Sequence, residues 1–110
     1  MDHEGFGLTS DITDAGDGRI LNLRLTGAVD MDACAKLTDK LVDAIRLTDA
    51  PRVVVDLEGT EFIDSHCIGM LVAGFDAARL SGRGFALTRA RGVVRRVLEV
   101  SGLMTLLGRD

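Results

Sequence analysis

The chain has 110 residues, 46% of them hydrophobic, which is enough apolar side chain for one core and predicts a single domain, 1–110. A net charge of −4 and four Phe with no Trp or Tyr argue against a nucleic-acid surface or base-stacking platforms. Two cysteines are too few for a secreted disulfide scaffold, and no apolar run approaches the roughly 18 residues a membrane span needs. The opening Met1-Asp2-His3-Glu4-Gly5 is polar and carries no signal-peptide pattern, so residues 1–5 are expected to be flexible. The expectation is a soluble, cytoplasmic protein with reduced thiols, no membrane contact and no direct nucleic-acid contact. Arg89, Arg91, Arg95 and Arg96 form the one basic cluster, read as a solvated helix face.

Phe6, Leu8, Ser10 and Ile12 alternate with mostly polar neighbours and predict a first strand. Asp14-Ala15-Gly16-Asp17-Gly18 is a turn, and Leu21, Leu23 and Leu25 place one apolar face on a second strand over about 19–26, completing a hairpin. Asp30 is a good N-cap. Met31, Cys34, Leu37, Leu41, Ala44 and Ile45 then step by three and four, predicting a helix over 31–47 that ends before Pro51. Arg52-Val53-Val54-Val55-Asp56-Leu57 suits a central strand buried on both faces, and parallel sheets are where such runs occur. A loop is expected over 58–61. Ile68, Leu71, Val72, Phe75 and Ala78 predict a helix over 66–80, stopped at Ser81-Gly82-Arg83-Gly84. Phe85 to Thr88 is a short strand. Val93, Val94, Val97 and Leu98 mark a third helix over 91–101, with Gly102 beyond its end, and Met104 to Leu107 could add an edge strand. Strand–helix–strand units after a hairpin give an α/β fold: a mixed four- to five-stranded sheet with helices packed against it.

The stretch Asp64-Ser65-His66-Cys67 places a carboxylate, a hydroxyl, an imidazole and a thiol in a row. As a helix start it needs no chemistry: Ser65 would cap a free N–H of the first turn, and the helix N-terminus would tolerate an anion added there. Catalysis fares worse. No Gly-x-Ser-x-Gly surrounds Ser65, and the only other histidine, His3, lies at the chain end. Cys67 lacks a second ordered base, and three or four metal ligands are not in view. No Gly-rich phosphate loop is present. The residues therefore predict no enzyme, no cofactor and no metal. Met70 falls off the Ile68/Leu71/Phe75 stripe, so it either meets a partner or packs against the third helix.

Four segments in order carry a resemblance: Leu25-Thr26-Gly27-Ala28-Val29-Asp30, Val53-Val54-Val55-Asp56-Leu57, Phe62-Ile63-Asp64-Ser65 with Ile68-Gly69-Met70-Leu71, and Val100-Ser101-Gly102-Leu103. Over nearly its whole length the chain resembles a STAS domain of the stand-alone anti-sigma factor antagonist type. The resemblance implies that Ser65 is phosphorylated by an anti-sigma factor that is also a serine kinase. It also implies a partner surface around Asp30, Asp64, Ser65, His66 and Cys67, with Met70 as the candidate adaptable contact. The sequence departs from the family pattern at Ala28, usually Glu; at His66, usually Ser or Thr; and at Cys67, usually Gly. The family's last helix is expected to be missing or very short.

Overall fold

The computed structural model describes residues 5–103. Strand β1 (Phe6–Asp14) and strand β2 (Arg19–Val29) form the antiparallel hairpin, closed by Ala15 N–H donating to the Gly18 carbonyl at 2.9 Å. Helix α1 (Met31–Arg46) leads to β3 (Arg52–Asp56) and then β4 (Thr60–Ile63). A 3-10 turn (Ser65–Cys67) runs into α2 (Ile68–Leu80), followed by β5 (Gly84–Thr88) and α3 (Gly92–Val100). The sheet order is β1-β2-β3-β5, with β4 also on β2. The Val-rich strand is central, parallel to both β2 and β5. The edge strand expected at 104–107 lies outside the described residues.

Two elements differ from the sequence reading. Residues 60–63 are a strand that begins inside the loop expected over 58–61, and β2 runs to Val29, three residues further than its apolar alternation. Both have one cause. β2 pairs with β3 through Ile20–Arg24, then trades that neighbour for β4 through Gly27–Val29, with a register shift at Gly27/Ala28. Gly27 is therefore a strand position with φ +86°, not a turn residue. The buried Thr60 hydroxyl donates to the Leu25 carbonyl at 2.6 Å and pins the start of β4.

The core lies between one face of the sheet and the helices. Leu21, Leu23, Leu25, Val53, Val55 and Leu87 point inward. On α1 the buried row is Ala33, Leu37, Leu41 and Ile45, an i, i+4 ridge. Met31, placed on the apolar stripe by spacing, is 58% exposed because it stands two positions, about 200°, from buried Ala33 and so on the other side of the first turn. On α2 the buried row is Met70, Leu71, Gly74 and Ala78, and Val72 faces outward. Gly74 lets the helices approach: a Cβ there would stand 3.1 Å from a Leu41 methyl. α2 ends at Gly82 (φ +71°), with Gly82 N–H on the Arg79 carbonyl and Arg83 N–H on the Ala78 carbonyl, a Schellman stop.

The opposite face of the sheet is polar and laced by charge. Arg24 bonds Asp11 at 3.1 Å and faces Asp56 across β2 and β3; Arg89 bridges Asp56 and Glu58, and Arg91 reaches Glu58. Arg95 pairs with Glu99 one helical turn on. Three of the four clustered arginines are thus paired with carboxylates. Burial works to raise the Asp56 pKa, but the Arg89 hydrogen bond, the Glu58 N–H and the charges of Arg89 and Arg24 outweigh it and hold the group below its ordinary value. A depressed native pKa stabilises the fold above the unfolded value, near 3.8. Asp56→Asn is expected to cost about 1 kcal/mol at pH 7. The difference from wild type should persist to about pH 5, shrink as pH falls through 3.8, and vanish below the native pKa. Urea denaturation at a series of pH values checks this; a difference independent of pH would mean that packing, not charge, is what Asp56 supplies.

Candidate functional site: two capped helix starts

β2 and β4 run parallel and end together, Val29 opposite Ile63. The residue after each is an aspartate. Asp30 caps α1, its carboxylate accepting from Ala33 N–H at 2.9 Å. Asp64 caps the 3-10 turn, accepting from His66 N–H at 2.8 Å, and its own N–H donates to the Val29 carbonyl at 2.9 Å. The sheet register thereby brings two acid-capped helical starts side by side, with Ser65 immediately after the second cap.

Ser65 does not cap the helix, as the sequence suggested it would. Asp64 performs that role one residue earlier, which leaves the Ser65 side chain exposed at the first position of the turn. Among the described residues its hydroxyl has no hydrogen-bond partner. The His66 ring, exposed, lies on Asp64, with Nδ1 2.9 Å from its carboxylate. His66 N–H and then the ring hold the Asp64 pKa below its ordinary value. An imidazole placed on Asp64 is not placed as a base for Ser65, and His3 lies outside the described residues. Among those residues no group of three His, Cys, Asp or Glu is arranged to hold a metal ion.

Cys67 and Met70, expected among the partner contacts, are turned inward. Cys67 is fully buried, its thiol donating to the Asp30 carbonyl at 3.2 Å. Burial, then the neighbouring Cys34 thiol and the Asp64 and Asp30 carboxylates, push its pKa up to about 12. A side chain at position 67 therefore fills the space behind the turn and does not project toward a partner. Met70 is 3% exposed, in a dry apolar gap among Leu8, Leu25, Leu37, Leu41, Val55 and Leu71. It packs on α1 and the sheet rather than on α3, because position 70 shares its face of α2 with Gly74 and Ala78.

The outward surface holds Asp30, partly covered Asp64, Ser65 and His66. Beside them Ala28, Met31 and Phe62 are exposed, with Phe62 opposite Ala28 in the β2/β4 pairing. Sequence reasoning missed Met31 and Phe62. Met31 fitted the helical stripe, and Phe62 could be oriented only once β4 was known to be a strand.

The family model described as "Mlab, STAS domain" matches residues 12–108. The anti-sigma F factor antagonist of Paenibacillus polymyxa is 24% identical over 88 residues, covering 80% of this chain and 75% of that one. Among solved structures, the anti-sigma factor antagonist SpoIIAA in its unphosphorylated form superposes with a TM-score of 0.74 at 20% identity, over 93% of this chain and 88% of that one. The phosphorylated form of the Bacillus cell fate determinant SpoIIAA gives 0.65 at 19% identity, over 93% and 91%. With a family match over almost the whole sequence and the same fold in these solved structures, the chain belongs to the STAS domain family.

Proposed function

We propose that the protein is an anti-sigma factor antagonist acting in the cytoplasm. With Ser65 bare it binds an anti-sigma factor that is also a serine kinase, and so frees a sigma factor; phosphorylated on Ser65, it is released. The protein is a regulator of transcription through protein–protein contact and not an enzyme. The observation that carries this reading is the Ser65 hydroxyl: exposed, without a hydrogen-bond partner among the described residues, and directly after the second of two neighbouring acidic caps. Such a hydroxyl can enter a kinase active site without disturbing the fold. The relatives named as antagonists, one of them solved in a phosphorylated form, support the assignment.

A second reading rests on the departures at His66 and Cys67, of which only His66, its exposed ring on the Asp64 carboxylate, is placed to meet a partner. That reading is a STAS module that is never phosphorylated, serving as a ligand-sensing or docking subunit of an assembly such as a lipid or anion transporter. Intact-mass analysis of the protein from its native cells, with fragmentation, separates the two. A single added phosphate on Ser65 is expected. An unmodified mass under every growth condition would replace the switch with the constitutive module.

A further inference from the structure

Cys34 and Cys67 are 33 positions apart in sequence, yet the fold brings them together behind the paired helix starts. The convergence point is the Asp30 carbonyl. It accepts Cys34 N–H at 2.9 Å, the first bond of α1, and the Cys67 thiol at 3.2 Å. The Cys34 thiol donates to the next carbonyl, Met31, at 3.4 Å, and is near enough to Cys67 to help push its pKa up. Both sulfurs are free. Their access differs: Cys34 is half-buried on the flank of α1, whereas Cys67 has no exposed surface. One reachable thiol over one enclosed thiol is the arrangement of an attacking and a resolving sulfur.

We propose that Cys34 and Cys67 form a redox-active pair that closes to an intramolecular disulfide when the protein meets a peroxide. The Cys34 thiolate attacks one oxygen of hydrogen peroxide and the O–O bond breaks; the sulfur keeps that oxygen as Cys34–SOH, and the other leaves as hydroxide, which takes up the proton the Cys34 thiol released and becomes water. The Cys67 sulfur then displaces hydroxide from Cys34–SOH. Hydroxide leaves with the Cys67 proton as a second water. Two thiols are oxidised by two electrons and one peroxide is reduced. The high Cys67 pKa makes the second step slow at neutral pH and faster as pH rises. The bond exchanges the Cys67 hydrogen bond to Asp30 for a covalent tie between the first turn of α1 and the turn that begins with Ser65. The pair depends on the thiols alone and stands whether or not Ser65 is phosphorylated.

The test treats the purified full chain with hydrogen peroxide, then unfolds it and alkylates with iodoacetamide. The expected product is a monomer lighter by two hydrogens, with no alkylatable thiol and a Cys34–Cys67 linked peptide in a non-reducing digest. Dithiothreitol should restore both thiols. The oxidised chain should melt higher than the reduced one, since the cross-link restricts the unfolded state. Cys34→Ala and, separately, Cys67→Ala should abolish both the mass change and the melting shift. Two alkylatable thiols after peroxide, oxygen added at Cys34 with no cross-link, or a disulfide found only between chains would each overturn the proposal. The wild-type mass and peptide map decide the matter even if a variant fails to fold.

Discussion

Ser65→Asp is expected to weaken binding to the anti-sigma partner about fivefold to over a hundredfold while leaving the melting transition within about 0.5 kcal/mol of wild type. A unit negative charge placed about 5 Å from a partner carboxylate costs about 1 kcal/mol in water and about 3 at an effective dielectric near 20. Phosphoserine carries roughly twice the charge, and about 2 to 7 kcal/mol on the same footing, so release by phosphorylation should be at least about 30-fold. The added charge enters a surface that already holds the Asp30 and Asp64 carboxylates. The effect is one of interface repulsion and needs no change of shape. Stability holds because the Ser65 side chain is exposed and replaces no internal contact, and because a carboxylate at a helix start gains from the free N–H groups there. The adjacent Asp64 offsets part of that gain. Titration calorimetry against the partner, paired with thermal denaturation, measures both. Unchanged affinity with an unchanged melt would remove Ser65 from the interface. Lost affinity with a collapsed melt would make the effect one of folding.

The strong periodicities were readable from the sequence: the Val-rich central strand, three helices and the glycine stop at Gly82 all lie within one or two residues of their expected ends, and of the opening hairpin only the far end of β2 runs on, by three residues. The elements that escaped are defined by a neighbour and not by their own pattern. Thr60–Ile63 is four residues long with only its ends buried, and exists as a strand because β2 changes partner beside it. That single omission has consequences at the site. Without β4, Asp64 has no fixed relation to Asp30, and Ser65 takes the capping role that Asp64 in fact holds. Cys67 and Met70 lie in the core for a different reason. With Leu71, Gly74 and Ala78 they form one helical row that runs unbroken through the 3-10 turn, whereas the stripe read from the sequence was centred on Ile68 and Phe75. The candidacy of Ser65 came from the family resemblance carried by Phe62-Ile63-Asp64-Ser65, a local segment whose reading survives an error in the strand before it.

Gly27→Ala is expected to destabilise the fold by about 3 kcal/mol or more, lowering the melting temperature by more than about 10 °C. At φ +86° any side chain meets the left-handed penalty, about 1–2 kcal/mol for alanine. The new Cβ would also collide with the Gly5 carbonyl oxygen and stand 2.8 Å from the Phe6 Cα, both backbone atoms that no rotamer can move aside. Relief requires the start of β1 to retreat, which breaks the Ala28 N–H bond to that same carbonyl, worth about 1 kcal/mol. Gly27 N–H also donates to the Gly59 carbonyl at the entrance to β4, so the displacement reaches the strand that sets Asp64 beside Asp30. Gly69→Ala is the contrasting case. It lies within α2, a Cβ there meets nothing within 4 Å, and its φ is ordinary, so the variant should be neutral or gain up to about 1 kcal/mol. Urea denaturation of both variants distinguishes the cause. A large loss at Gly27 with none at Gly69 locates the constraint in the β2 bulge. Equal small effects would mean that β1 can shift freely, and that the junction of β1, β2 and β4 does not hold the two caps in register.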